Sequence, residues 1–285
     1  MKFAPALLVL AALAVSAEAQ ASPKPSQASV AAPTEADWRT PDPQNVLVID
    51  TSKGRIVVEM SPAAAPASVA RIRELTKAGF YDGRAFFRVI DNFMDQTGDP
   101  QDNGEGGSTK PNLPAEFAFR RDASTPLVVV TKAAGVESGF LGALPVIGQT
   151  MDLGLLTADH KVNAWGTFCP GVGGMARAEA PDSGNSQFFL MRAGQTNLDQ
   201  KYTPWGRAIS GLDVIRAIKT GEPPTPPADT MVKVRLLADI PAAERPTVRV
   251  IDPAGPWFQA MAARVKAQKA ADFSICDLDI PSQVK

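Results

Sequence analysis

The stretch FFRVIDNFMDQTGD, residues 86–99, begins like a buried strand and then keeps large apolar side chains where a turn should be. Its first five residues are apolar except for Arg88, which lies among residues that favour burial. The pair Asp91-Asn92 is typical of a turn. Directly after it come a phenyl ring, a thioether and an amide, those of Phe93, Met94 and Gln96. Polar groups placed among large apolar side chains favour a binding groove.

A second stretch, GGMARAEAPDSGNSQFFLMR at residues 173–192, has the same mixture. Strand alternation would group Gln187 with Phe189 and Met191, and Arg88 with Phe86 and Ile90. A groove for an extended peptide needs such faces, because amides hold the peptide backbone while rings form a pocket. Taken alone, Arg88 is better explained as an outward charge on an edge strand, and the rings and thioether as core. The combination favours the groove.

Composition sets limits on the class of protein. The chain has 285 residues, of which 45% are hydrophobic and 21% charged, so it can bury a sizeable core. The 29 basic residues nearly balance the 30 acidic ones, and no basic run occurs. This balance argues against a nucleic-acid partner or an anionic membrane surface.

The N-terminus has the pattern of an export signal. Lys2 precedes an apolar run over residues 4–15, and Ala17-Glu18-Ala19 is a small-x-small cleavage site. The run is shorter than the roughly 20 apolar residues that a membrane span needs, although an uncleaved anchor remains the alternative. We therefore predict a signal peptide over 1–19, a mature chain without a membrane span, and a periplasmic or secreted location.

The chain after the signal divides into three further parts. Residues 20–45 are rich in Ala, Pro and Ser and predict a flexible leader. The main domain is predicted over 46–240, with an aperiodic insertion at about 118–170. Residues 241–285 form a C-terminal extension, in which we expect a short strand at 247–251 and an amphipathic helix at 257–269.

Periodicity predicts many strands and two helices in the main domain. Strands are expected at 46–50, 55–60, 85–90, 127–131, 172–178, 186–192, 203–210 and 231–240. The helical patterns are APASVARIRELTKAGF, with Pro66 in its first turn and a stop at Gly79, and SGLDVIRAIKTG, with Ser210 and Asp213 as a capping pair. This pattern favours a closed or nearly closed β architecture whose ends are covered by helices.

Several reaction classes are excluded or disfavoured by the residues available. The chain has one histidine, His160, inside the aperiodic insertion, so a nucleophile–histidine arrangement would rest on that residue alone. Zinc sites need several His or Cys close together, and none are. Hydrolysis by a carboxylate pair stays open, but no particular pair is marked by its surroundings. For the two cysteines, Cys169 and Cys276, one disulfide or two buried thiols are both open.

The motifs FFRVIDNFMDQTGDP, MARA and SQFFL occur in this order and together resemble the signature of cyclophilins, the peptidyl-prolyl cis-trans isomerases. The similarity covers roughly residues 46–117 and 171–240. It implies a mainly all-β fold, an eight-stranded antiparallel barrel capped by two α-helices. The segment NGEGG, residues 103–107, resembles the glycine loop beside the family's groove.

The resemblance implies catalytic roles for Arg88 and Gln96. It implies substrate-binding roles for Phe93, Met94, Gly104, Ala176, Arg177, Ala178, Gln187, Phe189, Leu198 and Tyr202. The implied partners are proline-containing polypeptides in unfolded or extended segments, and the implied chemistry needs no metal or other cofactor.

The sequence departs from the family at four places. Arg177 replaces an Asn whose role is largely through its backbone, and Tyr202 replaces a common pocket His. Asn197 stands where cyclosporin-sensitive members have Trp. The insertion leaves open how substrates reach the groove on that side.

The resemblance therefore implies a peptidyl-prolyl cis-trans isomerase that acts on X–Pro bonds of exported proteins and assists their folding. The alternative is a peptide-binding chaperone or scaffold on a cyclophilin-like barrel, with weak or no isomerase activity. Retention of Arg88 and the pocket residues favours the enzyme, whereas the insertion and the extension favour an added binding role.

Overall fold

A computed structural model describes Met1 and residues 31–285 of the chain. The predicted signal peptide, apart from its first residue, and leader residues 20–30 lie outside the described residues. The unit Ala31–Lys285 is compact. Among the described residues, no helix is both long enough and apolar enough to cross a membrane.

The described residues contain sixteen strands and three α-helices. In chain order, strands β1 to β16 are Trp38–Arg39, Val46–Thr51, Gly54–Met60, Arg88–Ile90, Met94–Thr97, Phe119–Arg121, Leu127–Ala133, Val136–Leu141, Leu144–Gln149, Val162–Gly166, Val172–Met175, Phe188–Met191, Pro204–Ser210, Met231–Leu236, Val248–Ile251 and Ser282–Val284. The helices α1 to α3 are Pro66–Lys77, Leu212–Ala217 and Pro256–Lys269.

Eight of these strands form one curled antiparallel sheet in the order β14-β2-β3-β13-β11-β12-β5-β4. Its inner side chains make one apolar core with residues of α1 and α2, such as Ile72 and Ile215. Large rings fill the centre, where Phe188 meets Tyr81 and Trp205 edge to face. The predicted eight-stranded sheet with two covering helices is confirmed.

Local chemistry explains the first hairpin and helix. The Thr51 hydroxyl donates to the Gly54 carbonyl and closes the turn between β2 and β3. The Glu116 carboxylate accepts hydrogen bonds from the backbone N–H groups of Ala67 and Ser68, and so satisfies two donors at the start of α1. Gly79, with φ +67°, ends the helical path as predicted.

Several details of the predicted barrel are wrong. The strand 127–131 is not part of it, because β7 is an edge of a separate sheet, and the barrel strand that pattern reasoning missed is β5. The capping pair of Ser210 and Asp213 does not form either, since α2 begins after Gly211, whose φ of +89° sets the start. Helix α2 ends at Ala217 rather than near Gly221.

The insertion is regular rather than aperiodic. Strands β6 to β10 form a five-stranded antiparallel sheet in the order β6-β10-β9-β8-β7. Only β7 was predicted as a strand, at 127–131; the other four were missed because small residues interrupt the alternation. At Gly139 of β8, for example, a Cβ would lie 1.9 Å from the Val128 carbonyl oxygen. The buried Arg121 pairs with Glu137 inside this sheet.

The predicted leader is too long at its C-terminal end, because residues 34–45 are folded. Strand β1 pairs with β15, so that Trp38 lies opposite Ile251. The buried Asp37 carboxylate accepts from the backbone N–H of Trp257 at the start of α3. The predicted strand and helix of the extension are confirmed as β15 and α3.

The insertion and the extension pack together against the outside of the barrel. Phe140 of β8 meets Phe258 of α3 edge to face, with ring centroids 5.5 Å apart. The buried guanidinium of Arg207, on β13, donates to the Leu278 carbonyl of the extension. Cys169 and Cys276 form a disulfide with Cα atoms 5.1 Å apart, which resolves the alternatives left open by the sequence.

We predict that this disulfide holds the extension on the barrel. Replacing both cysteines, Cys169→Ser with Cys276→Ser, should lower the free energy of unfolding by about 2–4 kcal/mol, because the crosslink restricts the unfolded chain. Urea unfolding of oxidised protein measures the loss, and wild type treated with reductant is the matched control. Peptide mass spectrometry without reductant should find the two cysteines linked; two freely alkylated thiols would contradict the bond.

Candidate active site

Three neighbouring strands bring the predicted catalytic residues into one row. In the register of the sheet, Gln96 of β5 lies opposite Arg88 of β4 and opposite Phe189 of β12. Two residues away on the same face of β5, Met94 lies opposite Ile90 of β4 and opposite Met191 of β12. Because side chains in register share a face, the guanidinium, the amide and the phenyl ring project from the same outer surface.

The alternation predicted for the first stretch is wrong at its start. Phe86 is fully buried in the inner core together with Val89, so it does not share a face with Arg88. The cause is that regular pairing begins only at Arg88. On β12 the predicted alternation is confirmed: Phe189 and Phe188 belong to the outer and the inner apolar cluster, respectively.

A small cavity of about 120 Å³ lies on this outer surface. Every residue that lines it was predicted from the sequence: Arg88, Phe93, Met94, Gln96, Ala176, Arg177, Phe189, Leu198 and Tyr202. We call it the ring pocket. The remaining predicted residues, Gly104, Ala178 and Gln187, line an adjoining groove of about 410 Å³ that shares Gln96, Ala176 and Arg177 with the ring pocket.

Aromatic packing fixes the floor and wall of the ring pocket. Phe189 meets Tyr202 edge to face at 5.7 Å and stacks on the fully buried Phe168 at 5.7 Å. Gly174 lies opposite Phe189 in the register, and a Cβ there would come within 2.4 Å of the Phe189 ring. Glycine at this position therefore lets the rings of Phe189 and Phe168 lie close against the sheet.

A chain of hydrogen bonds links the guanidinium to the glycine loop. Arg88 donates from Nη1 to Oε1 of Gln96 at 3.3 Å, and Gln96 donates from Nε2 to Oε1 of Gln187 at 2.9 Å. Gln187 in turn donates from Nε2 to the carbonyls of Gly104 and Gly106, at 3.0 and 2.7 Å. At its other end, Nε of Arg88 donates to the Glu222 carboxylate at 2.7 Å.

The glycine loop is organised around a buried carboxylate. Asp99 accepts hydrogen bonds from the backbone N–H groups of Gln101, Asn103 and Gly104. Burial alone would raise the pKa of Asp99, but these hydrogen bonds, with a further one from Gly106, hold it below its usual value. The ionised carboxylate therefore fixes the loop that receives Gln187.

Strand β5 is tied to the rest of the barrel by a buried ion pair. Asp95 lies between the site residues Met94 and Gln96, and its carboxylate accepts from Nη1 of Arg192 at 2.9 Å. The same guanidinium donates to the carbonyls of Ile215 and Arg216 in α2. Burial raises the pKa of Asp95 to about 7, against the opposing hydrogen bond and charge of Arg192.

The side chain of Arg177 is held by backbone carbonyls and by the Tyr202 ring. Its guanidinium donates to the carbonyls of Lys201, Ala178 and Glu179, and its Cζ lies 4.7 Å from the centroid of the Tyr202 ring. These bonds hold the backbone around Arg177 beside the groove, just beyond the end of β11 at Met175, so the predicted strand 172–178 is shorter than expected. The role of this position through its backbone stays a prediction.

Sequence reasoning missed two neighbours of the site. Phe168 supports Phe189 from below, but it lies at the end of the insertion, where no period marked it. Glu222 binds Arg88 from a loop, and only its place after Gly221 and before a proline run distinguishes it in the sequence. His160 is exposed and lines neither cavity. Among the described residues, no cluster of three or more potential metal ligands occurs.

Comparison with known proteins finds a matching family model and several relatives. The model of the family "Cyclophilin type peptidyl-prolyl cis-trans isomerase/CLD" matches residues 46–236. A probable peptidyl-prolyl cis-trans isomerase of Brucella suis biovar 1 is 31% identical over 191 residues, which are 63% of this chain and 74% of that protein. Peptidyl-prolyl cis-trans isomerase 10 of Caenorhabditis elegans is 29% identical over 61% of this chain and 81% of its own.

The similarity to a solved structure extends beyond the barrel. The crystal structure of cyclophilin AquaCyp293 from Hirschia baltica is 36% identical and superposes with a TM-score of 0.80. The match covers 87% of this chain and 93% of that chain. Because the family model spans only residues 46–236, this coverage includes part of the sequence outside the family model.

We predict that Gln187 holds the glycine loop through its amide donor. In Gln187→Glu the side chain can no longer donate to the Gly104 and Gly106 carbonyls, so hydrogen exchange of the backbone amides over 103–107 should become faster. Gln259→Glu, which removes a similar amide-to-carbonyl bond in α3, is the matched control and should leave this loop unchanged. Unaltered exchange over 103–107 in Gln187→Glu would contradict the role of the amide.

Proposed function

The chain belongs to the cyclophilin-type peptidyl-prolyl cis-trans isomerase family, and we propose that it isomerises X–Pro bonds of exported proteins and thereby assists their folding. The isomerase activity follows from the family; the exported substrates and the roles of individual residues are our proposal. Its chief support is that one cavity combines the guanidinium of Arg88 with the rings of Phe93 and Phe189.

The reaction requires a weakened peptide bond rather than a nucleophile. Resonance between nitrogen and carbonyl gives the bond a rotational barrier of about 18–20 kcal/mol. In the twisted transition state the proline nitrogen becomes pyramidal, and its lone pair can accept a hydrogen bond. A permanently charged guanidinium that donates to this nitrogen stabilises the twisted state more than either planar state, which is differential binding.

The ring pocket supplies the second requirement, a fixed proline. The buried Met94 and Phe189 and the half-buried Phe93 and Tyr202 offer an apolar surface that suits a pyrrolidine ring. With the ring held there, the neighbouring Arg88 can reach the proline nitrogen. In the adjoining groove, Gln96 and the backbone beside Arg177 would hold the flanking peptide.

A barrel that only bound peptides would need the aromatic rings of the ring pocket but no guanidinium beside them. Here Arg88 lines the ring pocket, and the amide of Gln96 accepts from it inside the same cavity. This arrangement favours an enzyme over a binding module. The folded insertion and extension contribute residues to the outer apolar cluster and enlarge the surface on which a client protein could bind. No contact among the described residues identifies such a client.

The proposed location outside the cytoplasm has two supports. The sequence of residues 1–19 has the n-region, apolar run and cleavage site of a secretory signal. The Cys169–Cys276 disulfide is of the kind that persists in oxidising compartments.

We predict that removing the guanidinium lowers catalysis strongly. A charge-assisted hydrogen bond is worth roughly 1.5–3 kcal/mol, so Arg88→Ala should lower kcat/KM by about 10- to 150-fold, at about 1.36 kcal/mol per tenfold. Arg88→Lys should also be poor, because an ammonium does not reproduce the planar fork. Isomerisation of a short X–Pro peptide measures the loss.

The matched comparison for Arg88 is Phe93→Ala in the same cavity. It should mainly raise KM, because the pocket holds planar and twisted states alike. A folded Arg88→Ala protein that works at the wild-type rate would end the catalytic assignment.

We further predict processing of the N-terminus. Expressed in a Gram-negative host, the mature protein should appear in the periplasmic or extracellular fraction and begin near Gln20. N-terminal sequencing of each cell fraction measures this. An unprocessed chain confined to the cytoplasm or the membrane would refute export as a soluble protein.

A further inference from the structure

Arg88 has two partners on two different nitrogens. The Glu222 carboxylate accepts from Nε at 2.7 Å, and the Gln96 amide oxygen accepts from Nη1 at 3.3 Å. Within the described residues no hydrogen bond is made by Nη2. The guanidinium is therefore held at two of its three nitrogens, Nε and Nη1.

Glu222 is placed by the strand that carries Arg88. Val89, the next residue after Arg88, exchanges two backbone hydrogen bonds of 2.8 Å with Gly221, the residue before Glu222. A side chain at Gly221 would collide with Pro224, since a Cβ there would lie 2.4 Å from its Cα. The pairing thus fixes the offset between the two charged side chains and requires glycine at its centre.

The carboxylate reaches Arg88 from the side away from the ring pocket. Glu222 and Pro223 line a separate cavity of about 590 Å³, between this loop and the glycine loop, and Glu222 does not line the ring pocket. Arg88 and Gln96 line both. The ion pair therefore leaves open the side from which a bound proline would be approached.

We propose that Glu222 is a positioning residue that holds the Arg88 fork ready for the proline nitrogen, an inference that rests on the proposed catalytic role of Arg88. A free arginine side chain loses much rotamer freedom when it is ordered. The carboxylate and the Gln96 amide order it before substrate binds, so that this cost does not fall on the transition state.

A carboxylate beside Arg88 has two opposing effects: it orients the guanidinium, and it offsets the positive charge that stabilises the transition state. The solvent exposure of the Arg88 and Glu222 side chains decides which effect is larger. The side chains of Arg88 and Glu222 are 40% and 51% exposed, so water screens the charge of the carboxylate at a distance. The direct hydrogen bond on Nε still fixes the direction of the fork. We therefore expect loss of Glu222 to lower the rate rather than raise it.

The test compares Glu222→Ala and Glu222→Gln with wild type in the X–Pro peptide assay. Glu222→Ala should lower kcat by about 2- to 5-fold, the size expected for a half-exposed ion pair, with KM nearly unchanged. Glu222→Gln keeps an acceptor for Nε and should recover part of the rate. The control is Asp159→Asn in the insertion. Its ion pair with Arg120 is similarly exposed, at 49% and 39%, and Arg120 lies in the separate five-stranded sheet.

A double-mutant cycle separates positioning from a general structural effect. In the Arg88→Lys background the planar guanidinium that Glu222 would orient is gone, so Glu222→Ala should change kcat by less than about 1.7-fold, roughly the limit of additivity for independent sites. In parallel, the NMR signal of Arg88 Nε–H should shift and exchange faster in Glu222→Ala than in Asp159→Asn.

Three results would overturn the inference. The first is a rate for Glu222→Ala equal to or above wild type. The second is an equal loss in the wild-type and Arg88→Lys backgrounds. The third is an unchanged Nε–H signal. Failure of the proposed function looks different: wild type itself would be inactive, or Arg88→Ala would keep the full rate, and the inference would fall with it.

Discussion

The register between β4, β5 and β12 is the constraint on which the site depends. A shift of one residue in β5 would turn Gln96 inward and bring the buried Asp95 to the surface. The Asp95–Arg192 pair opposes this shift, because it ties the inner face of β5 to β12 and to α2. Breaking such a buried pair on one side is strongly destabilising. The buried Asp95 on the inner face of β5 thus fixes the register that places Gln96 on the outer face.

The site combines this rigid row with loops that are themselves held by buried groups. The glycine loop is organised by Asp99 and joined to the row by Gln187. The loop that carries Leu198 is held through Asp199, which accepts from the backbone N–H of Phe168. Preorganised hydrogen bonds cost no reorganisation during the reaction. For an enzyme that twists a bond without forming a new one, such positioning is the main contribution a protein can make.

The sequence predicted the site better than the details of the fold. The resemblance to a known family named every residue that lines the ring pocket, including Tyr202 and Arg177, where this chain departs from the family's residue types. Pattern reasoning failed where it had only alternation to use: β5 was missed since Met94, Asp95 and Gln96 mix buried charge with surface amide. The folded segment around Asp37 was missed because its partners, such as Trp257, are more than 200 residues away in the chain. Glu222 carried no signal beyond its place between Gly221 and a proline run.

The position of the insertion explains how the barrel accommodates it. The chain leaves the barrel just after Glu116, which is fixed at the start of α1, and returns at Phe168, which is fixed under Phe189. Both ends are therefore anchored by contacts that the barrel needs in any case. The next residue, Cys169, bonds to the extension, so the return point also fixes the C-terminal segment. The added structure is joined to the barrel directly beneath the ring pocket, and it supports the wall of the pocket while leaving the row of Arg88, Gln96 and Phe189 to the barrel strands.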